Sequence, residues 1–291
     1  MISIVVPVYN EEEALEDTIN ELAAIKEQSD LLIEIIIVND GSNDKSTRIL
    51  SSIPNSQGIE VIHHHMNLGY GAALKTGIRN AEHAMIAITD ADRTYPNDQI
   101  PKLAQICSEG DFDMVVGSRT GGNIHFSKIR TPAKWVVNKL ANYLTGIRIP
   151  DLNSGLRVMK KDVVERFMQL LPNGFSFTST LTLAMLTNHF KVEYVPVNYY
   201  KRKGKSKIRP IYDTVNFLQL IIRTTLYFNP LAFFIPLSLI LVALAFLVLI
   251  GSWILLGKPM DVTFGIILMT AVVLTAIGML ADLIVKRISI K

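Results

Sequence analysis

Up to about residue 228 the apolar residues of this chain come in short blocks. Ile2 to Val8, Ile33 to Val38, Glu60 to His63 and Met85 to Thr89 have the length and β-branched content of strands. Between them the apolar spacing shifts to the three-and-four rhythm of amphipathic helices, from about Glu12 to Lys26, from about Lys45, and from about Gly71 to Ala81. Repeated strand–helix alternation predicts an α/β domain: a mostly parallel, Rossmann-like sheet with helices on its faces. Ligands of such sheets sit beyond the carboxyl ends of the strands, so the residues after each strand are where chemistry is expected.

Beyond residue 228 the alternation stops. Leu231 to Leu256 runs 26 residues without a charge and Val262 to Ala281 another 20, separated by Gly257-Lys258-Pro259-Met260-Asp261. At ~1.5 Å rise per residue each run can cross a ~30 Å hydrocarbon core. The pattern predicts three parts: a front domain over 1–209, an interfacial amphipathic helix over 210–228, and a transmembrane hairpin over 229–291 with spans at about 231–256 and 262–284. Arg223 precedes the first span, and Lys286, Arg287 and Lys291 follow the second. That bias puts both termini and the front domain on the cytoplasmic side of a multi-pass inner-membrane protein. The stretch Ile211 to Phe228 mixes apolar and aromatic residues with single charges, as an interfacial helix does and as a packed core helix also can.

Charge sharpens this division. The 291 residues hold 29 Lys and Arg against 26 Asp and Glu, a formal net charge of +3. Only Lys258, Asp261, Asp282, Lys286, Arg287 and Lys291 fall beyond residue 228, so 25 basic and 24 acidic residues crowd into the front. Such polarity excludes a wholly soluble enzyme, a disordered chain and a collagen-like fibre. The single Cys107 rules out an internal disulfide and fits a reducing compartment. The opening Met1-Ile2-Ser3-Ile4-Val5-Val6-Pro7 carries no basic leader, so it reads as a buried strand rather than a signal peptide.

The strand ends are rich in carboxylates. The first strand is followed by Tyr9-Asn10-Glu11-Glu12-Glu13, the second by Asn39-Asp40-Gly41-Ser42-Asn43-Asp44, the fourth by Asp90-Ala91-Asp92. Each has a bland explanation, since Ser42 or Asp44 can cap a helix and Asn-Asp-Gly makes a tight turn. Together they suggest a charged site, with Asp90 and Asp92 able to approach one Mg²⁺ or Mn²⁺ whose other ligands are diphosphate oxygens and water. The triplet His63-His64-His65 is not a metal cage, because consecutive strand residues face opposite ways.

Val6-Pro7-Val8-Tyr9-Asn10-Glu11-Glu12, Val38-Asn39-Asp40-Gly41-Ser42, Asn67-Leu68-Gly69-Tyr70-Gly71-Ala72-Ala73, Asp90-Ala91-Asp92, Gly117-Ser118-Arg119, Asn153-Ser154-Gly155-Leu156-Arg157 and Gly204-Lys205-Ser206-Lys207 follow one another as in a known family. Over about residues 1 to 209 the chain resembles the inverting glycosyltransferases of family 2, more narrowly the dolichol-phosphate mannose synthase and polyprenyl-phosphate glucosyltransferase branch. The resemblance implies a GT-A fold, with Pro7, Tyr9, Glu11, Val38 and Asp40 around the donor nucleoside and Asp90, Ala91 and Asp92 at metal and diphosphate. Thr94 stands where the family often has a Gln, so its hydroxyl is the third metal-side group. Arg119 matches an arginine that meets phosphate, and Arg130 either contacts the acceptor or is a solvated loop residue. Asp151 orients acceptor or sugar, or serves as a turn residue after Pro150.

The segment Lys201 to Arg209, KRKGKSKIR, has six basic residues in nine. It reads as a solvated face or as attraction to anionic lipid, whereas the resemblance puts Lys201 and Lys207 on the donor phosphates. The implied reaction moves a hexose, from GDP-mannose first and UDP-glucose next, to undecaprenyl or dolichyl phosphate, with no nucleic-acid partner and with assembly into homo-oligomers through the membrane helices. A processive polysaccharide synthase would carry Gln-x-x-Arg-Trp, which this chain lacks; a non-catalytic sugar-lipid binding scaffold is the alternative from another class.

Overall fold

The computed structural model describes residues 1–53, 58–121, 139, 142–143, 146–202, 222, 225–226 and 229–289. The chain divides into two compact units, Met1–Phe217 and Leu218–Lys291. The division falls inside the stretch 210–228 expected to form the interfacial helix, and most of that stretch lies outside the described residues.

In the first unit, strands β1 (Ile2–Val8), β2 (Ile33–Asn39), β3 (Ile59–His63) and β4 (Met85–Ile88) alternate with helices α1 (Leu15–Gln28), α2 (Ser46–Ser51) and α3 (Tyr70–Asn80). Then follow α4 (Ile100–Glu109), β5 (Met114–Ser118), β6 (Arg157–Lys160), α5 (Lys161–Phe167), α6 (Phe177–Thr187) and β7 (Val192–Pro196). The sheet order is β3-β2-β1-β4-β6-β5-β7. All its pairings are parallel except those of β6, which runs antiparallel between β4 and β5. The start of β6 therefore arrives at the edge where β4 and β5 end, bringing residues 151–156 to the ligand-binding side of the sheet.

β1 is buried along its whole length because both faces are covered. Ile2, Ile4, Val6 and Val8 join Leu15, Ile19 and Leu22 of α1 and Leu103, Ala104 and Cys107 of α4 in one core, each large side chain contributing about 1.5–3 kcal/mol. On the other face α3 lies close: a Cβ added at Gly77 would come within 2.3 Å of Val5 Cγ1 and 3.3 Å of Val38 Cγ2. Val38 is thus a fully buried residue under α3.

The second unit contains α7 (Pro230–Leu256) and α8 (Asp261–Ser289), both long and apolar enough to cross a membrane. The Asn229 side chain accepts from Ala232 N at the start of α7, and Gly257 ends it at φ +65°, a left-handed cap that glycine adopts at no steric cost. Ser252 Oγ accepts from Met260 N at 3.0 Å across the turn. Phe246 packs edge-on against Phe264, and a Cβ at Gly278 would lie 2.6 Å from Phe234 Cβ, so the backbones approach closely as at small-residue crossings. Leu247, Trp253, Ile254 and Leu255 stay exposed, as side chains facing lipid would.

Candidate active site

A cavity of about 390 Å³ opens at the carboxyl edge of the sheet, the size of a small-molecule site. Its wall includes Pro7, Tyr9 and Glu11 after β1, Asp40 after β2, Asp90, Ala91 and Asp92 after β4, and Arg119 after β5. Asn153 and Gly155 before β6, Phe175 and Thr178 near the start of α6, and Tyr199 and Arg202 after β7 also line it, as do Tyr70 and Tyr95.

The loops after β1 and β2 are knitted by side chains that receive backbone amides. Asn10 N donates to Ser42 Oγ (3.0 Å), Glu11 N to Ser46 Oγ (2.9 Å) and Glu12 N to Asp44 Oδ2 (3.1 Å). In return Asn43 N donates to Asn10 Oδ1 (2.8 Å) and Lys45 N to Glu12 Oε2 (3.0 Å). Asn10, Ser42, Asp44 and Glu12 hold the frame, while Tyr9 and Glu11 reach the cavity.

Asp40 is buried, and its carboxylate gathers the loop leading into α3. Oδ1 accepts from His64 Nδ1 (2.7 Å) and Leu68 N (2.9 Å), and Oδ2 accepts from Gly69 N (2.8 Å). The carboxylate partner fixes the His64 proton on Nδ1, and Nε2 lies 2.9 Å from Thr76 Oγ1. Gly69 has φ +104°, and a Cβ there would lie 2.4 Å from Asn173 O, so this turn tolerates no side chain.

Asp90 is the most perturbed carboxylate. Burial, followed by the negative charge of Asp92, pushes its pKa up to about 7, against the opposing pull of Tyr70, Arg119 and Arg202. The Tyr70 hydroxyl donates to Asp90 Oδ1 at 3.0 Å, and the Tyr70 ring stacks on Phe175 at 5.7 Å. Gly155 backs the carboxylate so closely that an added Cβ would lie 2.6 Å from Asp90 Oδ2. Asp92 Oδ1 accepts from Thr94 Oγ1 (2.6 Å) and Thr94 N (3.1 Å), and Oδ2 lies 3.4 Å from Arg202 Nε. Two carboxylates this close in a buried wall create a deficit of positive charge that suits a hard divalent cation. No third His, Cys, Asp or Glu joins them among the described residues, so such a cation fits if ligand oxygens and water supply the remaining coordination.

Arg119 faces the same cavity from a rigid seat. Its Nε and one terminal nitrogen each donate to a different oxygen of Asp151 at 2.7 Å, and its backbone N donates to Asp151 Oδ2 at 3.0 Å. This planar fork is the strongest geometry for a guanidinium and a carboxylate. The guanidinium lies 5.2 Å from the centroid of the Tyr199 ring, which meets Tyr95 edge-on. Asp151 itself is not in the cavity wall; it reaches the site through Arg119 and through Asn153, whose backbone N donates to Asp151 Oδ1 at 3.3 Å.

Of the residues singled out by sequence, Pro7, Tyr9, Glu11, Asp40, Asp90, Ala91, Asp92 and Arg119 line one cavity, while Val38, Thr94, Asp151 and Lys201 do not. Thr94 is fully buried with its hydroxyl on Asp92, and Lys201 is exposed. Arg130 and Lys207 lie outside the described residues. Sequence reasoning passed over Tyr70, Tyr95, Phe175, Tyr199 and Arg202. Tyr70 lies in the Asn67–Ala73 stretch with nothing local to mark it, and six basic residues in nine give no means of ranking Arg202, which pairs with Glu11 and approaches Asp92.

The sequence model described as glycosyl transferase family 2 matches residues 3–168, more than half of the chain. The undecaprenyl-phosphate 4-deoxy-4-formamido-L-arabinose transferase of Sodalis glossinidius is 28% identical over 228 residues, covering 75% of this chain and 67% of that protein. The protein of the same name from Yersinia pestis is 32% identical over 190 residues, 62% of this chain and 57% of its own length. The chain thus spans about half to two thirds of the curated relatives it matches. Among solved structures, glucosyl-3-phosphoglycerate synthase from Mycobacterium tuberculosis in complex with Mn²⁺, UDP and glucosyl-3-phosphoglycerate aligns with a TM-score of 0.57 at 21% identity, over 78% of each chain. S. aureus TarS 1-349 in complex with UDP aligns at 0.55 and 18% identity, over 78% of this chain and 66% of that one. These structures share the fold, an α/β sheet of the GT-A kind, as expected from sequence. With the family match running from β1 through α5, across the strand ends that build the cavity, the chain belongs to glycosyl transferase family 2.

Proposed function

We propose that this protein moves a sugar from a nucleoside-diphosphate donor to a polyprenyl phosphate at the cytoplasmic face of a membrane, inverting the anomeric carbon. The observation that supports it most is the pairing, in one cavity wall, of the Asp90–Asp92 carboxylates with an Arg119 guanidinium locked by Asp151. Pro7, Tyr9 and Asp40 surround the nucleoside. Asp90 and Asp92 are the residues that would hold Mg²⁺ or Mn²⁺, and a bound cation would supply neutralisation of the charge on the leaving diphosphate. Arg119 meets phosphate. An acceptor phosphate is already anionic near neutral pH, so the attack needs no strong general base; positioning and fixed charge supply most of the rate. The two apolar helices of the second unit favour an acceptor that itself resides in lipid.

The donor nucleotide is the finer question. The branch resemblance leans to GDP-mannose, whereas the M. tuberculosis and S. aureus neighbours hold UDP and the curated relatives are named for undecaprenyl phosphate and 4-deoxy-4-formamido-L-arabinose. A UDP-sugar is therefore proposed first. The test is transfer of labelled sugar to undecaprenyl or dolichyl phosphate in detergent with Mg²⁺ or Mn²⁺, screening UDP-glucose, UDP-linked amino sugars and GDP-mannose. Lipid-linked product from one donor is expected; a folded protein that binds none of these nucleotides would defeat the proposal.

The role of the hairpin is separable. Removing the residues after Phe228 is expected to lower turnover on a long-chain acceptor at least about tenfold, while nucleotide affinity changes less than about twofold, because nucleotide binding draws on the first unit alone. Equal losses in both measurements would refute the lipid assignment.

A further inference from the structure

Arg157, at the start of β6, is the largest fully buried side chain of the described residues, and it has no place in the cavity wall. A buried cation normally pairs with a carboxylate. This one spends its donors otherwise: Nε donates to Ser154 O (2.7 Å), one terminal nitrogen to Leu152 O (3.1 Å), and the other to Thr182 Oγ1 (2.6 Å) with Met114 Sδ at 3.7 Å. Burial lowers its pKa.

The two carbonyls alternate with three residues that serve the site. Leu152 and Ser154 give their oxygens to the guanidinium, whereas Asp151 grips Arg119, Asn153 lines the cavity, and Gly155 backs Asp90. Asn153 Oδ1 accepts from Thr178 Oγ1 and Ser179 Oγ, and Gly155 N donates to the Tyr95 hydroxyl at 2.7 Å. One short loop thus touches both charged halves of the cavity, and two of its carbonyls converge on one guanidinium, with the Thr182 hydroxyl also 3.5 Å from Leu152 O.

We infer that Arg157 is a positioning residue: by holding the carbonyls of Leu152 and Ser154 it fixes the Asp151–Gly155 loop in the one shape that seats Arg119 and supports Asp90 together. A planar fork with several fixed donors can span two carbonyls and a hydroxyl, and an ammonium on a flexible stem cannot. An apolar residue of similar volume would fill the space but take away the donor that the Ser154 and Leu152 carbonyls share, and a buried acceptor that loses its partner is costly. That cost falls on the loop itself, so what the arginine stabilises is the loop's shape.

The experiment compares the full-length wild type with Arg157→Met and Arg157→Lys in detergent, by thermal unfolding, amide hydrogen exchange without ligand, and titration with UMP and with UDP plus Mn²⁺. Both variants are expected to unfold within a few degrees of the wild type, to exchange the 151–155 amides about tenfold faster, and to leave β1 and β2 protection unchanged. UMP affinity should persist while the gain from the second phosphate and Mn²⁺ is lost, and turnover should fall about 100-fold. Unaltered loop exchange, or loss of UMP binding in step with a collapse in unfolding temperature, would overturn the inference. Its mechanistic meaning rests on the proposed transfer reaction, but the exchange measurement does not: a wild type that transfers no sugar would sink that reaction and leave the loop result standing.

Discussion

Asp92→Asn is expected to reduce divalent-metal-dependent transfer about a thousandfold, the scale on which loss of a fixed charge at a developing anion is felt. The substitution should leave the fold intact. An Asn side-chain oxygen can still accept from Thr94 Oγ1 and Thr94 N, and Arg202 retains its pairing with Glu11 when it loses its neighbour at 3.4 Å. The missing element is charge, halved at the Asp90–Asp92 pair proposed to hold the cation. Turnover measured across a Mn²⁺ titration, with an unfolding curve as control, decides the matter. Activity within threefold of wild type would remove Asp92 from the reaction.

The second large effect is expected from Gly155→Ala, a change of one methyl group. The new Cβ would lie 2.6 Å from Asp90 Oδ2, 2.9 Å from Cγ and 3.0 Å from Oδ1. Asp90 cannot simply turn aside, because Oδ1 is held by the Tyr70 hydroxyl and Tyr70 is stacked on Phe175. Either the carboxylate or the loop must move by several tenths of an ångström. A displacement of that order at reacting groups costs about 100-fold. Mn²⁺ should be needed at higher concentration, with the unfolding midpoint little changed. An unshifted Mn²⁺ dependence with full turnover would show that the carboxylate is free to relocate.

How far the sequence spoke depended on the distance over which each feature is built. The β1 run and the Asp90–Asp92 pair are local, so composition and spacing exposed them directly. Helix α1 is regular from Leu15 rather than from near Glu12, and the turn before it is tied to the loop after β2, with the amides of Glu11 and Glu12 donating to Ser46 and Asp44 side chains, a long-range contact that helical periodicity does not register. The Arg119–Asp151 fork joins residues 32 apart, and the Tyr95–Gly155 contact joins residues 60 apart; both exist because β6 slots antiparallel between β4 and β5. Arg202 meets Glu11 across 191 residues of chain. No spacing rule reaches that far, and such contacts supply much of the charge balance of the site.

The same slot dictates an order of assembly. Strand β5 is flanked by β6 and β7, both of which follow it in the chain, and joins β4 only through β6. A nascent chain that has reached β5 can pair β1 through β4 into a four-stranded sheet with one side of the cavity in outline, yet β5, which can pack on α4, has no strand to pair with. Both its edges remain open until residues 157–160 and then 192–196 emerge, a state in which unpaired strands invite association with other chains. The half of the sheet that carries Arg119 is the last to close. Its non-local pairings slow folding relative to a helical bundle of equal size, so the interval between synthesis of β5 and of β7 is the period in which this protein most needs protection.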